Sequence, residues 1–196
     1  MPTIPARRHP RTAAALGALA LVGAVLLGGC GGGNEDGGGR PADTASSSAS
    51  AADTLVATGL ERISAGDLDG AREIFAAVLV LDPANAYAHY NLGFLAQDDG
   101  DVATAIDEYN QALTTDPEFA PALYNLALLT EQADLDTAVD LYRRVLDVKP
   151  DDAATHMRLG FALRHLGRED EAATLLAQGI ELDPAMKDVP APSYAG

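Results

Sequence analysis

Apolar positions recur along this chain with the period of a helix. The clearest are triplets spaced four and three residues apart: Ala71, Phe75 and Val78; Ala105, Tyr109 and Ala112; Ala138, Tyr142 and Val145; Ala172, Leu176 and Gly179. Residues so spaced share one side of an α-helix. Each triplet is closed by a proline, at Pro83, Pro117, Pro150 and Pro184, so the pattern repeats at intervals of 34, 33 and 34 residues. Proline lacks an amide hydrogen and biases the preceding residue away from helical angles, so each one ends a helix. A fixed period of this size predicts stacked supersecondary units rather than one globular core. The expected fold is all-α, with eight helices of about three to four turns.

With Ala86 as position 1 of the second unit, Leu92-Gly93 fall at positions 7 and 8 and Gly100-Asp101 at 15 and 16. Ala105, Tyr109, Ala112 and Pro117 follow at positions 20, 24, 27 and 32. This set resembles the tetratricopeptide repeat signature, a helix-turn-helix with small residues at the turn and the helix crossing. The fourth unit carries Leu159-Gly160, Gly167 and Pro184, and the first carries Gly59, Gly66-Asp67 and Pro83. The third, with Leu126-Ala127 and Ala133-Asp134, is one residue short between Ala127 and Ala133, so its first helix is expected to be short or distorted. The resemblance implies a right-handed α-solenoid of four units, at about 52–85, 86–119, 120–152 and 153–185.

Residues 1–29 read as a signal peptide: Arg7, Arg8 and Arg11, then an apolar run from Thr12 to Leu27, too short for a membrane span of about 20 residues. Leu27-Gly28-Gly29-Cys30 resembles the bacterial lipobox, which implies cleavage before Cys30 and a diacylglycerol on its thiol. Two or more acyl chains anchor a protein stably to a membrane. The expectation is therefore an extracytoplasmic, lipid-anchored protein on the cell membrane, or on an outer membrane where there is one. Arg7-Arg8 also fits twin-arginine export, but His9-Pro10 stand where that signal has an apolar residue, and the route stays open. Residues 30–51, rich in Gly, Ser and Ala, read as a flexible tether, and residues 186–196, with Pro190 and Pro192, as a disordered tail.

Charge narrows the partners. Thirteen basic residues stand against twenty-nine acidic, a formal net charge of −16, which disfavours nucleic acid and anionic lipid surfaces. The same charge also serves simply to keep a solenoid soluble.

In the resembled family the first helices line a concave surface that holds partner segments. Positions 2, 5, 6, 9, 12 and 13 lie within an arc of about 120° at 100° per residue. They place Tyr87, Tyr90, Asn91 and Phe94 of the second unit on that face, with Tyr124, Asn125 and Leu128 of the third. Met157, Arg158, Phe161, Arg164 and His165 follow in the fourth. Tyr90-Asn91 and Tyr124-Asn125 repeat in register; asparagines so placed would bond the backbone of an extended peptide, or else only support neighbouring helices. The first helix of the fourth unit is basic in an acidic chain and would receive a carboxylate of the partner, unless neighbouring acids neutralise it.

Nothing points to catalysis. No HExxH, paired CxxC, GxSxG or phosphate-loop pattern occurs, and no cofactor or metal site is expected. His89 and His156 share position 4, a packing position, and read as core residues. Leu175, Leu176, Ile180 and Leu182 of the last helix lack a following capping helix, which suggests a homo-oligomer through that face. The resulting expectation is a non-enzymatic adaptor in the bacterial cell envelope that binds a protein or peptide in its groove. The alternatives are a self-assembling structural module and an accessory subunit of an envelope enzyme or transporter.

Overall fold

The computed structural model describes residues 41–194, with side chains from residue 50 onward. The signal peptide, Cys30 and the first part of the tether lie outside the described residues. Among the described residues eight α-helices run in order: α1 (Pro41–Ser64), α2 (Leu68–Leu81), α3 (Ala86–Asp99), α4 (Val102–Thr115), α5 (Ala120–Thr130), α6 (Leu135–Val148), α7 (Ala153–His165) and α8 (Glu169–Leu182). A 3-10 helix, Pro184–Asp188, follows. Each helix packs against the next, most closely within the pairs α1–α2, α3–α4, α5–α6 and α7–α8. This is the expected α-solenoid of four helix-turn-helix units; among the described residues there is no strand.

Local chemistry explains the boundaries. Asp67, Asp101 and Asp134 stand before α2, α4 and α6, and each side chain accepts a bond from a backbone N–H of the first turn. Asn85 and Asp152 do the same for α3 and α7. Side-chain oxygens there satisfy amides that have no partner within the helix. At the other end, the side chains of Asp82, Asp116 and Asp183 reach forward to accept the amides of Ala84, Glu118 and Ala185, which is why an acid precedes three of the four repeat prolines.

Within units, Gly66, Gly100 and Gly167 have φ of 77°, 81° and 76°, a left-handed turn open to glycine without strain. The third unit has no such residue. Its α5 spans 11 residues against 14 in α3 and 13 in α7, so the missing residue shortens the first helix as expected. Gly93 serves a close crossing instead: a Cβ there would come within 2.8 Å of the Tyr109 ring.

The core divides into two clusters. One joins the first and second units through Ala52, Ala71, Phe75, Val78, Ala88 and Leu95. The other runs from the second unit through the fourth around Tyr109, Leu123, Tyr142 and Leu163.

Three expectations need correction. The tether does not reach residue 51: α1 begins at Pro41, a residue suited to a first helical turn, and the Ala-rich stretch after it favours helix. The tail is not disordered as far as residue 194, because the 3-10 helix packs on α7 and α8 and Tyr194 packs against the core. The last helix is correspondingly less bare than expected. Leu175, Leu176 and Ile180 are half-buried, and only Leu182 of the four is exposed.

Candidate functional site

The face made by α1, α3, α5 and α7 has an open part and a closed part. In the open part Leu60, Tyr87 and Phe94 are 47%, 56% and 40% exposed. Leu60 and Phe94 hold the same position in successive units, so they extend one apolar stripe. Tyr87 rests edge-on against Phe119, with ring centroids 5.0 Å apart. Tyr90 is half-buried between Phe119 and Tyr109, at 5.3 and 5.9 Å.

The two groove asparagines are otherwise engaged. Asn91 is buried and donates to the carbonyl of Tyr87, one turn back in its own helix, at 2.7 Å. Asn125 donates to the Tyr109 hydroxyl at 3.2 Å. Both support helices rather than presenting amides to a peptide.

The closed part belongs to the third and fourth units. Leu128 is half-buried against the core. Met157 is buried and faces α8, where a Cβ on Gly179 would come 3.0 Å from its sulfur, so it belongs to the α7–α8 packing and not to the groove. Phe161 is buried with the Arg164 guanidinium over its ring at 5.2 Å, while Arg164 and His165 themselves are exposed. Arg158 is not free to meet a partner's carboxylate: its Nη1 donates to Glu131 Oε2 at 3.1 Å.

Glu131 is the functional-face residue that sequence reasoning missed. Its side chain is 4% exposed, and its other oxygen accepts from the Tyr142 hydroxyl at 2.6 Å. The register of α5 was obscured by the missing residue, yet counting from Ala120 places Glu131 at position 12, where Gln97 stands in the second unit. Gln97 does the equivalent job, accepting from the Tyr109 hydroxyl at 2.8 Å. Each of these two junctions therefore joins a phenol, an acceptor and a residue of the next unit. At the first junction Phe75 and Ile63 hold the corresponding places and offer no hydroxyl, which is why Asn91 turns to its own backbone. Burial raises the Tyr109 and Tyr142 phenols above their ordinary value, and the bond to Glu131 raises Tyr142 further.

The segment after α8 comes back to this closed part. The Gln132 side-chain amide donates to the carbonyl of Ser193 at 2.8 Å, and the Tyr194 ring lies 5.2 Å from that of His165. The Tyr194 hydroxyl is buried and meets no hydrogen-bonding partner.

His89 and His156 are structural. His89 bridges α3 and α4 through Glu108 at 2.7 Å and also faces the carbonyl of Pro83, whereas His156 is buried against the carbonyl of Asp152. Among the described residues no cluster of His, Cys, Asp or Glu could hold a metal ion. No helix among them is long and apolar enough to cross a membrane.

Comparison with known proteins agrees with this geometry. Two tetratricopeptide repeat models match, one over residues 56–118 and the other over residues 129–189, together more than half of the chain. The chain belongs to the tetratricopeptide repeat family. A curated relative, photosystem I assembly protein Ycf3 of Synechococcus elongatus, is 37% identical over 107 residues, covering 49% of this chain and 62% of the relative. The chain thus spans less than two thirds of that protein. Among solved structures, MamA superposes with a TM-score of 0.61 at 25% identity, covering 70% of this chain and 81% of that one. Pseudomonas aeruginosa PilF superposes with a TM-score of 0.63 at 22% identity, covering 71% and 66%, a likeness of fold alone.

These relatives correct the functional expectation. The curated relatives matched over about half of this chain are named for assembly of photosystem I, so the reading as an extracytoplasmic scaffold of the cell envelope does not stand. What remains is a tetratricopeptide protein of the protein-binding, adaptor kind, with no catalytic constellation among its described residues.

Proposed function

We propose that the array is an assembly adaptor that holds one polypeptide partner on the face of its first helices while that partner is incorporated into a larger complex. The observation that carries this reading is the open apolar stripe of Leu60 and Phe94 with Tyr87 beside it, large side chains left uncovered on a rigid scaffold. Aromatic anchors of this kind supply contact area at low entropic cost. The relatives named for assembly support the same class of role, whatever the partner of this chain is.

A photo-crosslinking residue placed at Phe94 tests it in the cell of origin. One heterologous protein should be captured, and it should be lost when Tyr87 and Leu60 are changed to Ala. Self-crosslinks alone would overturn the reading in favour of a self-assembling module. Little supports a homo-oligomer through α8, since only Leu182 of its four large apolar residues is exposed.

Processing is a separate proposal and carries no role for the array. The order of basic, apolar and small residues ending in Leu27-Gly28-Gly29-Cys30 supports cleavage and lipidation at Cys30. Labelling with a palmitate analogue should mark the wild-type chain and not Cys30→Ala; equal labelling of both would rule it out.

A further inference from the structure

The segment beyond the 3-10 helix behaves as a peptide bound to a groove, although it is part of the same chain. Residues 189–194 form no helix or strand, Val189 has an extended backbone, and Pro190 and Pro192 restrict the rest. A main-chain carbonyl, that of Ser193, accepts from the side chain of Gln132, in the turn after α5, at 2.8 Å. An aromatic ring, Tyr194, sits beside His165 at 5.2 Å and packs against the core. Backbone bonding plus one anchored side chain is how extended peptides are generally held.

We infer that residues 189–194 are a built-in pseudo-ligand that closes the groove of the third and fourth units. The partner segment that enters there is an extended, proline-bearing peptide carrying a tyrosine, and it displaces Tyr194. This deepens the adaptor reading above and rests on it for the identity of the competitor as part of a partner.

Two features make the closure reversible. The Tyr194 hydroxyl is buried and has no hydrogen-bonding partner, so the resting fit is imperfect. A hydroxyl so buried loses its hydration and gains nothing in exchange. Arg164 and His165 meanwhile remain exposed beside it, available to a partner that brings an acceptor. A short tether also holds the segment at about millimolar effective concentration, so a free peptide competes at a disadvantage that removal of the anchor abolishes.

The test uses the full chain and a fluorescein-labelled hexapeptide, Val-Pro-Ala-Pro-Ser-Tyr, matching residues 189–194, with anisotropy as readout. Tyr194→Ala should bind the peptide at least tenfold more tightly than wild type, and adding His165→Ala should remove that gain. Tyr194→Phe, which keeps the ring and drops the unpaired hydroxyl, should bind no more tightly than wild type. Equal affinity of wild type and Tyr194→Ala, or no measurable binding to either, overturns the inference. The adaptor reading fails separately: if Tyr194→Ala gains affinity while the crosslink at Phe94 captures only the same chain, the pseudo-ligand stands and the adaptor does not. If the heterologous crosslink appears and Tyr194→Ala gains nothing, the reverse holds.

Discussion

The second-to-third and third-to-fourth junctions use the same three positions with different electrostatics. At the first of these, Tyr109 donates to Gln97 and accepts from Asn125, all neutral. At the second, Tyr142 donates to Glu131, whose other oxygen takes the Arg158 guanidinium. A neutral relay can lose one member and leave the others modestly unsatisfied. A carboxylate 4% exposed cannot, because a buried charge is tolerated only when paired and hydrogen-bonded. The repeat position therefore fixes where a polar link is made, and the residue chosen there decides how much depends on it.

The strongest way to break this comparison is to remove the acceptor from each junction. Glu131→Ala leaves a half-exposed guanidinium and a buried phenol without partners and should cost about 3 kcal/mol, a figure reduced for the exposure of Arg158. Gln97→Ala at the equivalent place should cost about 1 kcal/mol. Urea unfolding followed by circular dichroism measures both. Equal losses would mean that the charge at the second junction adds nothing.

Removing the phenol hydroxyls gives a smaller contrast. Tyr142→Phe should cost about 2 kcal/mol, because a hydrogen bond to a charged acceptor is lost, and Tyr109→Phe about 1 kcal/mol. Converting the charged junction to the neutral chemistry should cost least. Glu131→Gln with Arg158→Asn should lie within about 1 kcal/mol of wild type, since a buried pair replaced as a whole is often neutral. Should the double variant unfold as easily as Glu131→Ala, the geometry of the side chains would matter more than their charge.

The contrast also marks how far sequence reasoning reaches. The proline period and the small residues at the helix crossings locate every unit, because backbone geometry demands those residue types wherever they occur. The missing residue in the third unit likewise foretells a short α5. Asn91 and Asn125, by comparison, share a repeat position and still differ in partner, because the preceding unit offers Phe75 at the place where the next offers the Tyr109 hydroxyl. Such choices depend on a residue in another unit. Met157 was placed on the groove by the same register and lies against Gly179 instead. The docking of Tyr194 leaves no periodic trace, since a Pro- and Ser-bearing strand of chain binds through its carbonyls and one ring. The start of α1 at Pro41 was hidden by composition: Ser and Ala read as linker in isolation, yet they continue a helix that is already packed.

The smallest expected effect separates the junctions from the caps beside them. Asp101 before α4 and Asp134 before α6 are each held below the ordinary carboxylate value by the same two causes in the same order. These are the hydroxyl of Thr104 or Thr137, then the backbone amide of that threonine. A carboxyl whose value is depressed by folding stabilises the folded state above its unfolded value of about 3.9. That contribution is lost as pH falls through the folded value. The two caps should therefore fail together below about pH 4, whatever the neighbouring junction contains. Amide shifts of Thr104 and Thr137 followed by NMR should titrate in parallel, and Asp101→Asn or Asp134→Asn should abolish the corresponding titration while preserving the cap. The first turn of α8 provides the internal control, because Arg168 stands at its cap position without capping and pairs with Glu171 at 2.7 Å instead. If α6 loosens at a higher pH than α4 even though their caps titrate alike, the caps alone do not set the pH at which these helices open.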